Sequence, residues 1–292
     1  MSIKDNIRYP VVAGYFYPKD SIELKDMIKK LFLHRYGPGK EPAISSSRRR
    51  ETIGYLAPHA GYIYSGPIAA HTYYNLALDG KPETIIVIGT NHTGLGSLVS
   101  VYPSGKWITP LGELRVDCEL AEEIVYNSEL AELDTDAHLE EHSVEVQLPF
   151  IQYIFGNDIY ILPIVLGLHS YETAEDLAKA INKATTKLNR DTIIIASSDL
   201  NHYDPYDITV EKDHKAIEKI LSLDSREFYE TIINNHITVC GPGGIMTLIE
   251  YTKIKAHNKN YKAELLKYAN SGDISGDKSM VVGYASIRFY LT

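Results

Sequence analysis

Cysteine is nearly absent from this chain of 292 residues, which has only Cys118 and Cys240. Two cysteines cannot build a disulfide framework, so we expect a reducing, cytoplasmic setting. Long hydrophobic runs are also missing: the longest, about residues 159–168, contains Pro163 and falls far short of the roughly 20 residues of a membrane span. The first five residues lack the basic and then apolar pattern of a signal sequence. We therefore expect no membrane association.

Positive charge is in deficit. Lys and Arg number 29 against 38 Asp and Glu, which gives a formal net charge of −9. An acidic surface repels DNA and anionic lipid, so the sequence predicts no nucleic-acid partner. One basic cluster, residues 48–50, lies among Gly, Pro and Ser, which is typical of a solvated loop, with phosphate binding as the alternative. The hydrophobic fraction of 44% is ordinary for a globular protein and excludes a disordered chain.

Short β-rich runs alternate with helical patterns along most of the chain. The predicted strands cover residues 52–57, 84–89, 158–165 and 192–196. The predicted helices cover residues 66–78, 118–127, 144–155, 172–188, 210–221 and 243–255. Continuous Ile and Val runs are typical of a parallel sheet covered by helices on both faces. Residues 262–268 and 280–290 indicate a C-terminal antiparallel strand pair. With no linker visible, we predict a single α/β domain over residues 1–292.

Histidines follow three of the strand-like runs. His59 comes after residues 52–57, His92 after 84–89, and Asp199 and His202 after 192–196. Ligands of open α/β sheets bind outside the carboxyl ends of the strands, so these side chains are expected to converge. A single histidine at a strand end is usually structural, but three at equivalent positions favour a functional site.

Two further segments carry candidate groups. Cys240 precedes an apolar helical pattern, where the helix dipole favours a thiolate that acts as metal ligand or nucleophile. A small buried residue at a tight turn is the alternative. His142 lies four residues after His138, on one face if the segment is helical, and is a candidate general acid or base, with capping and packing as an equal alternative.

The chain resembles the Memo (mediator of cell motility) family. Segments that carry the resemblance run in order along almost the whole chain: VAGYFYP at 12–18, APHAGY at 57–62, GTNH at 89–92, EHSVE at 141–145, SSDLNHY at 197–203 and GYA at 283–285. The resemblance implies an α/β fold similar to class III extradiol dioxygenases, the non-haem iron enzymes that cleave catechol-type rings.

The resemblance also implies a metal site formed by His59, His92 and Cys240. The dioxygenases use two histidines and a carboxylate, whereas this chain has a cysteine in the third place. Thiolate is a softer ligand that suits copper, zinc or thiolate-bound iron. The expected cofactor is therefore iron or copper, with zinc as a further possibility.

Three functions remain open at the level of sequence. The first is a metal-dependent oxidoreductase in which His142 or His202 moves protons and Asp199 orients an imidazole. The second is a non-catalytic module whose pocket binds a peptide or a small molecule. The third is a zinc hydrolase, which is weaker because no specific general base is evident. The sequence sets neither the substrate nor the oligomeric state.

Overall fold

Strands and helices alternate along the chain in the computed structural model, which describes residues 6–292. The strands are β1 (Ile7–Arg8), β2 (Thr52–Ala57), β3 (Thr84–Thr90), β4 (Val99–Val101), β5 (Lys106–Thr109), β6 (Gly112–Val116), β7 (Glu132–Leu133), β8 (Tyr160–Leu166), β9 (Thr192–Ser197), β10 (His202–Asp204), β11 (Tyr261–Asn270) and β12 (Val281–Leu291). The helices are α1 (Ser21–Leu33), α2 (Tyr62–Asp79), α3 (Cys118–Asn127), α4 (Leu148–Phe155), α5 (Tyr171–Lys187), α6 (Tyr206–Leu221), α7 (Ser225–Asn234), α8 (Pro242–Ala256) and α9 (Ser271–Ser275). Short 3-10 helices cover Asp136–His138 and Glu145–Gln147.

One mixed sheet organises the described part of the chain. Its central strands lie in the order β6, β8, β3, β9, β2, and every neighbouring pair among them is parallel. Strand β12 then pairs antiparallel with β2, and β11 pairs antiparallel with β12. The largely parallel central sheet and the C-terminal antiparallel pair that the sequence predicts are both confirmed.

Helices cover both faces of this sheet, which explains why β2, β3 and β9 carry almost no exposed residue. At Gly54 a β-carbon would lie 2.6 Å from Leu248 Cδ1 of α8, so helix α8 packs on that face. The next side chain, Tyr55, points to the opposite face, because successive residues of a strand alternate, and its hydroxyl bonds Asp79 at the end of α2. Only glycine fits at position 54, since its β-carbon would also lie 2.4 Å from Ile194 O.

The predicted elements agree with the structure in the core and depart from it at the periphery. Helix α2 begins at Tyr62, four residues before the predicted start, and α3 has the predicted bounds. Helices α1 and α7 and the short strands β1, β4, β5, β6, β7 and β10 are absent from the prediction. The polar turn between the last two strands contains the short helix α9. A capping box between Asn270 and Asp273 caps the N-terminus of this helix.

Residues 138–142 do not form a continuous helix. The condition under which His138 and His142 would share one helix face is therefore not met. The 3-10 helix ends at His138, and irregular backbone carries residues 139–144 before the second 3-10 helix. This stretch is held by contacts from the N-terminal segment, which are described below. Across residues 6–292, no helix is both long and apolar enough to span a bilayer.

Candidate metal centre

The candidate site lies where the parallel strands β2, β3 and β9 end. These three strands are neighbours in the sheet, and the residues that follow them are His59, His92 and Asp199. The rings of His59 and His92 are 5.4 Å apart between centroids, although 33 positions separate them in sequence. The predicted convergence of these strand ends is what the structure shows, because the carboxyl ends of parallel strands share one edge.

His142 joins this pair from the irregular segment after the first 3-10 helix. Its ring stacks on His92 at 4.6 Å and meets His59 edge-on at 5.4 Å. One ring nitrogen from each of His59, His92 and His142 lies within 4.8 Å of the others. The sequence predicts a proton-transfer role for His142, whereas its position makes it a candidate ligand beside the two strand-end histidines.

The tautomer of His59 follows from its hydrogen bonds. The single hydroxyl proton of Ser197 is donated to Ser143 O at 2.7 Å, while Gln147 Nε2 donates to Ser197 Oγ at 2.7 Å. Ser197 Oγ is 3.1 Å from His59 Nδ1 and has only lone pairs left to offer, so Nδ1 carries the proton. The lone pair of His59 is therefore on Nε2, the nitrogen needed for a metal or another acceptor role.

Glu141 holds His92 in the corresponding way. Its carboxylate lies 3.0 Å from His92 Nδ1 and accepts the His92 backbone N–H at 2.7 Å and the Ser143 N–H at 2.7 Å. Burial alone would raise the pKa of Glu141, but the His92 hydrogen bond and the neighbouring donors bring it down to about 2. A buried carboxylate thus remains ionised, fixes the Nδ1–H tautomer of His92 and raises the pKa of that imidazole against the effect of burial.

Cys240 lies against His59, with its sulfur 3.0 Å from His59 Nε2. Because Nε2 has the lone pair, the thiol donates its proton there, and the Asp199 backbone N–H donates to the sulfur at 3.2 Å. Burial, followed by the nearby Asp199 carboxylate, raises the pKa of the Cys240 thiol. Burial thus favours the protonated thiol in the metal-free protein, whereas the helix start predicts a thiolate.

Asp199 and His202 line the same pocket as the three histidines. Asp199 accepts the backbone N–H of His59 at 2.8 Å and that of Ala60 at 3.4 Å. It therefore supports the loop that carries His59 and does not bond the imidazole as predicted; Ser197 and Glu141 perform that orienting role. Burial raises the pKa of Asp199 to about 6. His202 Nδ1 lies 2.9 Å from the carbonyl of Thr238 and donates to it, which leaves Nε2 as an acceptor.

The pocket has a volume of about 740 Å³ and opens to solvent. Phe16 closes one side, with its ring 4.8 Å from that of His142. Phe16, Ser197 and Gln147 were not singled out as site residues in the sequence, and Glu141 had no assigned role. The sequence does carry one signal that could have identified a site residue: Gln147 is a polar residue directly before the apolar helix α4.

The donor set fits a transition metal. Imidazole suits zinc, copper and iron, and a cysteine sulfur adds a softer donor beside His59. Burial lowers the pKa of both His59 and His142, so these rings stay neutral, the protonation state required of a ligand. Two residues are candidates for a third ligand beside His59 and His92. They are Cys240, whose sulfur contacts His59, and His142, whose ring stacks on His92.

The structure defines the class of protein: an α/β fold with a histidine cluster at the carboxyl edge of its sheet. Comparison with known proteins defines the family. The family model "Memo-like protein" matches residues 8–288. A MEMO1 family protein of Desulfurococcus amylolyticus is 57% identical over 284 residues, covering 97% of this chain and 99% of the relative. One from Ignicoccus hospitalis is 50% identical over 288 residues, covering 98% and 99%. The chain belongs to the Memo-like family, which confirms the resemblance.

The chain was also compared with solved structures. An uncharacterized protein of Escherichia coli K12 aligns with a TM-score of 0.49 and 12% sequence identity, covering 81% of this chain and 99% of that one.

Proposed function

We propose that this protein is a metal-dependent oxidoreductase whose iron or copper ion is held by His59, His92 and a third ligand, Cys240 or His142. The observation that carries the proposal is the fixed tautomer of the two strand-end histidines. Ser197 and Glu141 engage Nδ1 of His59 and His92, so the lone pair of each ring is on Nε2; in the metal-free protein that of His59 accepts from the Cys240 thiol. Such outer hydrogen bonds are typical of metal-binding histidines.

The bound metal would supply redox or Lewis-acid chemistry, and the chain supplies the surroundings. Glu141 and Ser197 hold Nδ1 of His92 and of His59, so that Nε2 of each ring is the nitrogen that would face a metal. His202 Nε2, left free by the bond from Nδ1 to Thr238, is positioned at the pocket to accept or return a substrate proton. Asp199, buried in the same pocket, holds the loop of His59. The open pocket leaves room for a small molecule or a peptide end.

Metal binding is tested with untagged protein stripped by a chelator and titrated with iron, copper and zinc. We expect one ion per chain, and an affinity reduced by at least about tenfold in His59→Ala and His92→Ala. Comparing His142→Ala with Cys240→Ser identifies the third ligand. His214→Ala is the matched control, because His214 is exposed and its Nδ1 bonds only a carbonyl of its own helix. Circular dichroism checks that each variant is folded.

Redox activity is tested separately, by dioxygen uptake after a catechol probe is added to the loaded protein. Uptake by the wild type that disappears in His59→Ala supports the oxidoreductase. Wild-type metal affinity in all four site variants would show that the histidine cluster is not a metal site. Unchanged ligand binding by metal-free protein, without dioxygen uptake, would favour the peptide- or small-molecule-binding module.

A further inference from the structure

A second hollow adjoins the histidine pocket. It has a volume of about 360 Å³ and shares three lining residues with the histidine pocket: Ala60, Tyr203 and Val282. We call it the tyrosine hollow, because Tyr64, Tyr203 and Tyr284 line it, together with Met280. The two cavities are therefore neighbours, with Ala60, Tyr203 and Val282 at their shared border.

The tyrosine hollow exposes apolar side chains that the fold does not require at the surface. Tyr203 is 69% exposed, Met280 64% and Tyr64 40%. Large apolar groups gathered at one concave surface are a common mark of a binding site. Among the described residues that line the hollow, Asp277 is the only charged one, and its Oδ1 accepts from the backbone and hydroxyl of Ser279. The neighbouring Lys278 lies over the Tyr206 ring at 4.1 Å instead. A negatively charged group is therefore unsuited to this hollow, whereas a neutral apolar group fits.

Tyr203 stands at the junction in a backbone conformation that tyrosine rarely adopts. Its φ is 63°, in the left-handed region. Both neighbours are held in place: the His202 backbone N–H donates to Thr238 Oγ1 at 2.8 Å, and Asp204 pairs with Lys212 at 2.7 Å. The strained residue is thus maintained by its surroundings while its own ring is left exposed between two cavities. Strain kept in this way at a pocket mouth is typical of ligand-contacting residues.

Another cavity next to the histidine pocket is a poorer place for the rest of a ligand. This separate hollow shares only Phe16 with the histidine pocket, and the Phe16 ring packs against His142 at 4.8 Å. The border with that hollow is thus a single large ring, whereas the border with the tyrosine hollow includes the smaller side chains of Ala60 and Val282.

We infer that the substrate of this protein has two parts: a polar head that reaches the histidine cluster and a neutral aromatic or apolar tail that lies in the tyrosine hollow against Tyr203. Tyr203 is then a specificity-determining residue. This inference rests on the proposed metal-dependent function for the position of the head. The tail site stands on the shape and chemistry of the tyrosine hollow itself.

The inference is tested with metal-chelating probes of two lengths on the metal-loaded protein: acetohydroxamate and 4-phenylbutanehydroxamate. We expect the phenyl probe to bind about tenfold tighter or more than acetohydroxamate, and Tyr203→Ala to remove that difference between the two probes. Tyr126→Ala is the matched control, since Tyr126 is 82% exposed and lines neither cavity. A third probe with a carboxylate in place of the phenyl ring should gain nothing.

Failure of the metal proposal and failure of this inference give different results. If acetohydroxamate does not bind the wild type, the open metal site is wrong, and the tail site is then judged on metal-free protein with 4-phenyl-1-butanol, followed by NMR. Resonances of the tyrosine hollow that shift in the wild type and not in Tyr203→Ala support the tail site. Equal affinity of the two hydroxamates, equal affinity in wild type and Tyr203→Ala, or no response to 4-phenyl-1-butanol overturns it.

Discussion

At the scale of single residues, Glu141 positions the side chains of the candidate metal centre. Its carboxylate is hydrogen-bonded to His92 and lies 3.5 Å from His142 Nδ1, so one buried acid orients His92 and adjoins a second imidazole of the cluster. A buried acid of this kind is normally costly, but here it accepts from the amides of His92 and Ser143 and from the His92 ring, which offsets the loss of water.

We therefore expect Glu141→Gln to weaken metal binding by about 10- to 100-fold, the usual effect of removing an outer hydrogen-bond partner of a ligand. Metal titration of the stripped protein measures the change. Glu132→Gln is the control, because Glu132 is an exposed carboxylate whose bond is to the Ser97 hydroxyl. Unaltered affinity in Glu141→Gln would contradict the orienting role.

Asp213 makes the stability of the fold depend on pH. Burial raises its pKa to about 7, against 3.8 for a free carboxyl, even though the Asn201 amide and the Tyr268 hydroxyl donate to it. Asp199 is the other acid that acts on it and raises its pKa further. The folded protein therefore binds a proton that the unfolded chain has lost between about pH 4 and pH 7, and stability falls as the pH rises through this window.

We expect Asp213→Asn to flatten that fall. The free energy of unfolding, measured by denaturant titration from pH 5 to pH 7.5, should decline less in the variant than in the wild type, where one such group contributes up to about 1.4 kcal/mol per pH unit. Asp158→Asn serves as the control, since the Asp158 side chain is 88% exposed. Identical pH profiles for wild type and Asp213→Asn would show that folding does not raise the pKa of Asp213.

At the scale of elements, strand β1 holds the loop that carries Glu141 and His142. Arg8 donates to His138 O at 3.0 Å and Glu141 O at 2.7 Å, and its guanidinium pairs with the buried Glu145. Glu145 in turn accepts from the Val12 N–H at 3.1 Å and from a tyrosine hydroxyl of the same N-terminal segment. This buried ion pair fixes residues 138–145 without any regular helix.

Arg8→Met should therefore both destabilise the protein, by about 3–5 kcal/mol because Glu145 is left buried and unpaired, and weaken metal binding. Arg288→Met is a matched control: Arg288 pairs with the buried Asp79 at 2.9 Å and bonds Thr52, at the end of β2 remote from His59. We expect Arg288→Met to lose stability and keep its metal affinity. Denaturant unfolding and metal titration below the unfolding temperature of both variants distinguish them, and equal metal affinity in the two would refute the role of Arg8.

At the scale of the whole molecule, one sheet and one hydrophobic core connect the described ends of the chain. The C-terminal strand β12 lies beside β2, so the last element closes against one of the first. The loop of residues 37–51 is tied down only in part: Ser45 N donates to Ala77 O, and Arg48 pairs with Asp191 at 3.1 Å. Residues 39–44 have fewer such bonds and include the exposed Lys40.

Limited trypsin digestion should consequently cut first at Lys40 and leave the two fragments associated in native buffer, because they share the sheet. Mass spectrometry locates the cut and size-exclusion chromatography follows the association. Two fragments that separate and remain folded would instead show two independent domains.

Much of the fold is predictable from the sequence because its signals are local. Continuous apolar runs define β2, β3, β8 and β9, and their parallel arrangement follows from the helices between them. Helix α1 was missed although Asp20 caps it by accepting from the amides of Ile22 and Glu23. Its buried residues Leu24, Ile28 and Leu31 also recur at helical spacing, so both the start signal and the periodicity are present in the sequence. The short edge strands were missed because pairing with distant partners, and not their own composition, makes them strands.

The sequence by itself determined that His59, His92 and Asp199 lie together, because parallel strands end at one edge and each of these residues follows such a strand. Only the tertiary structure decided the rest of the candidate site. His142 and Glu141 reach it on an irregular loop whose course depends on Arg8, 133 positions before Glu141, and no local pattern encodes that contact. The protonation of Cys240 was likewise decided by tertiary burial, which opposes the helix dipole that the sequence reveals.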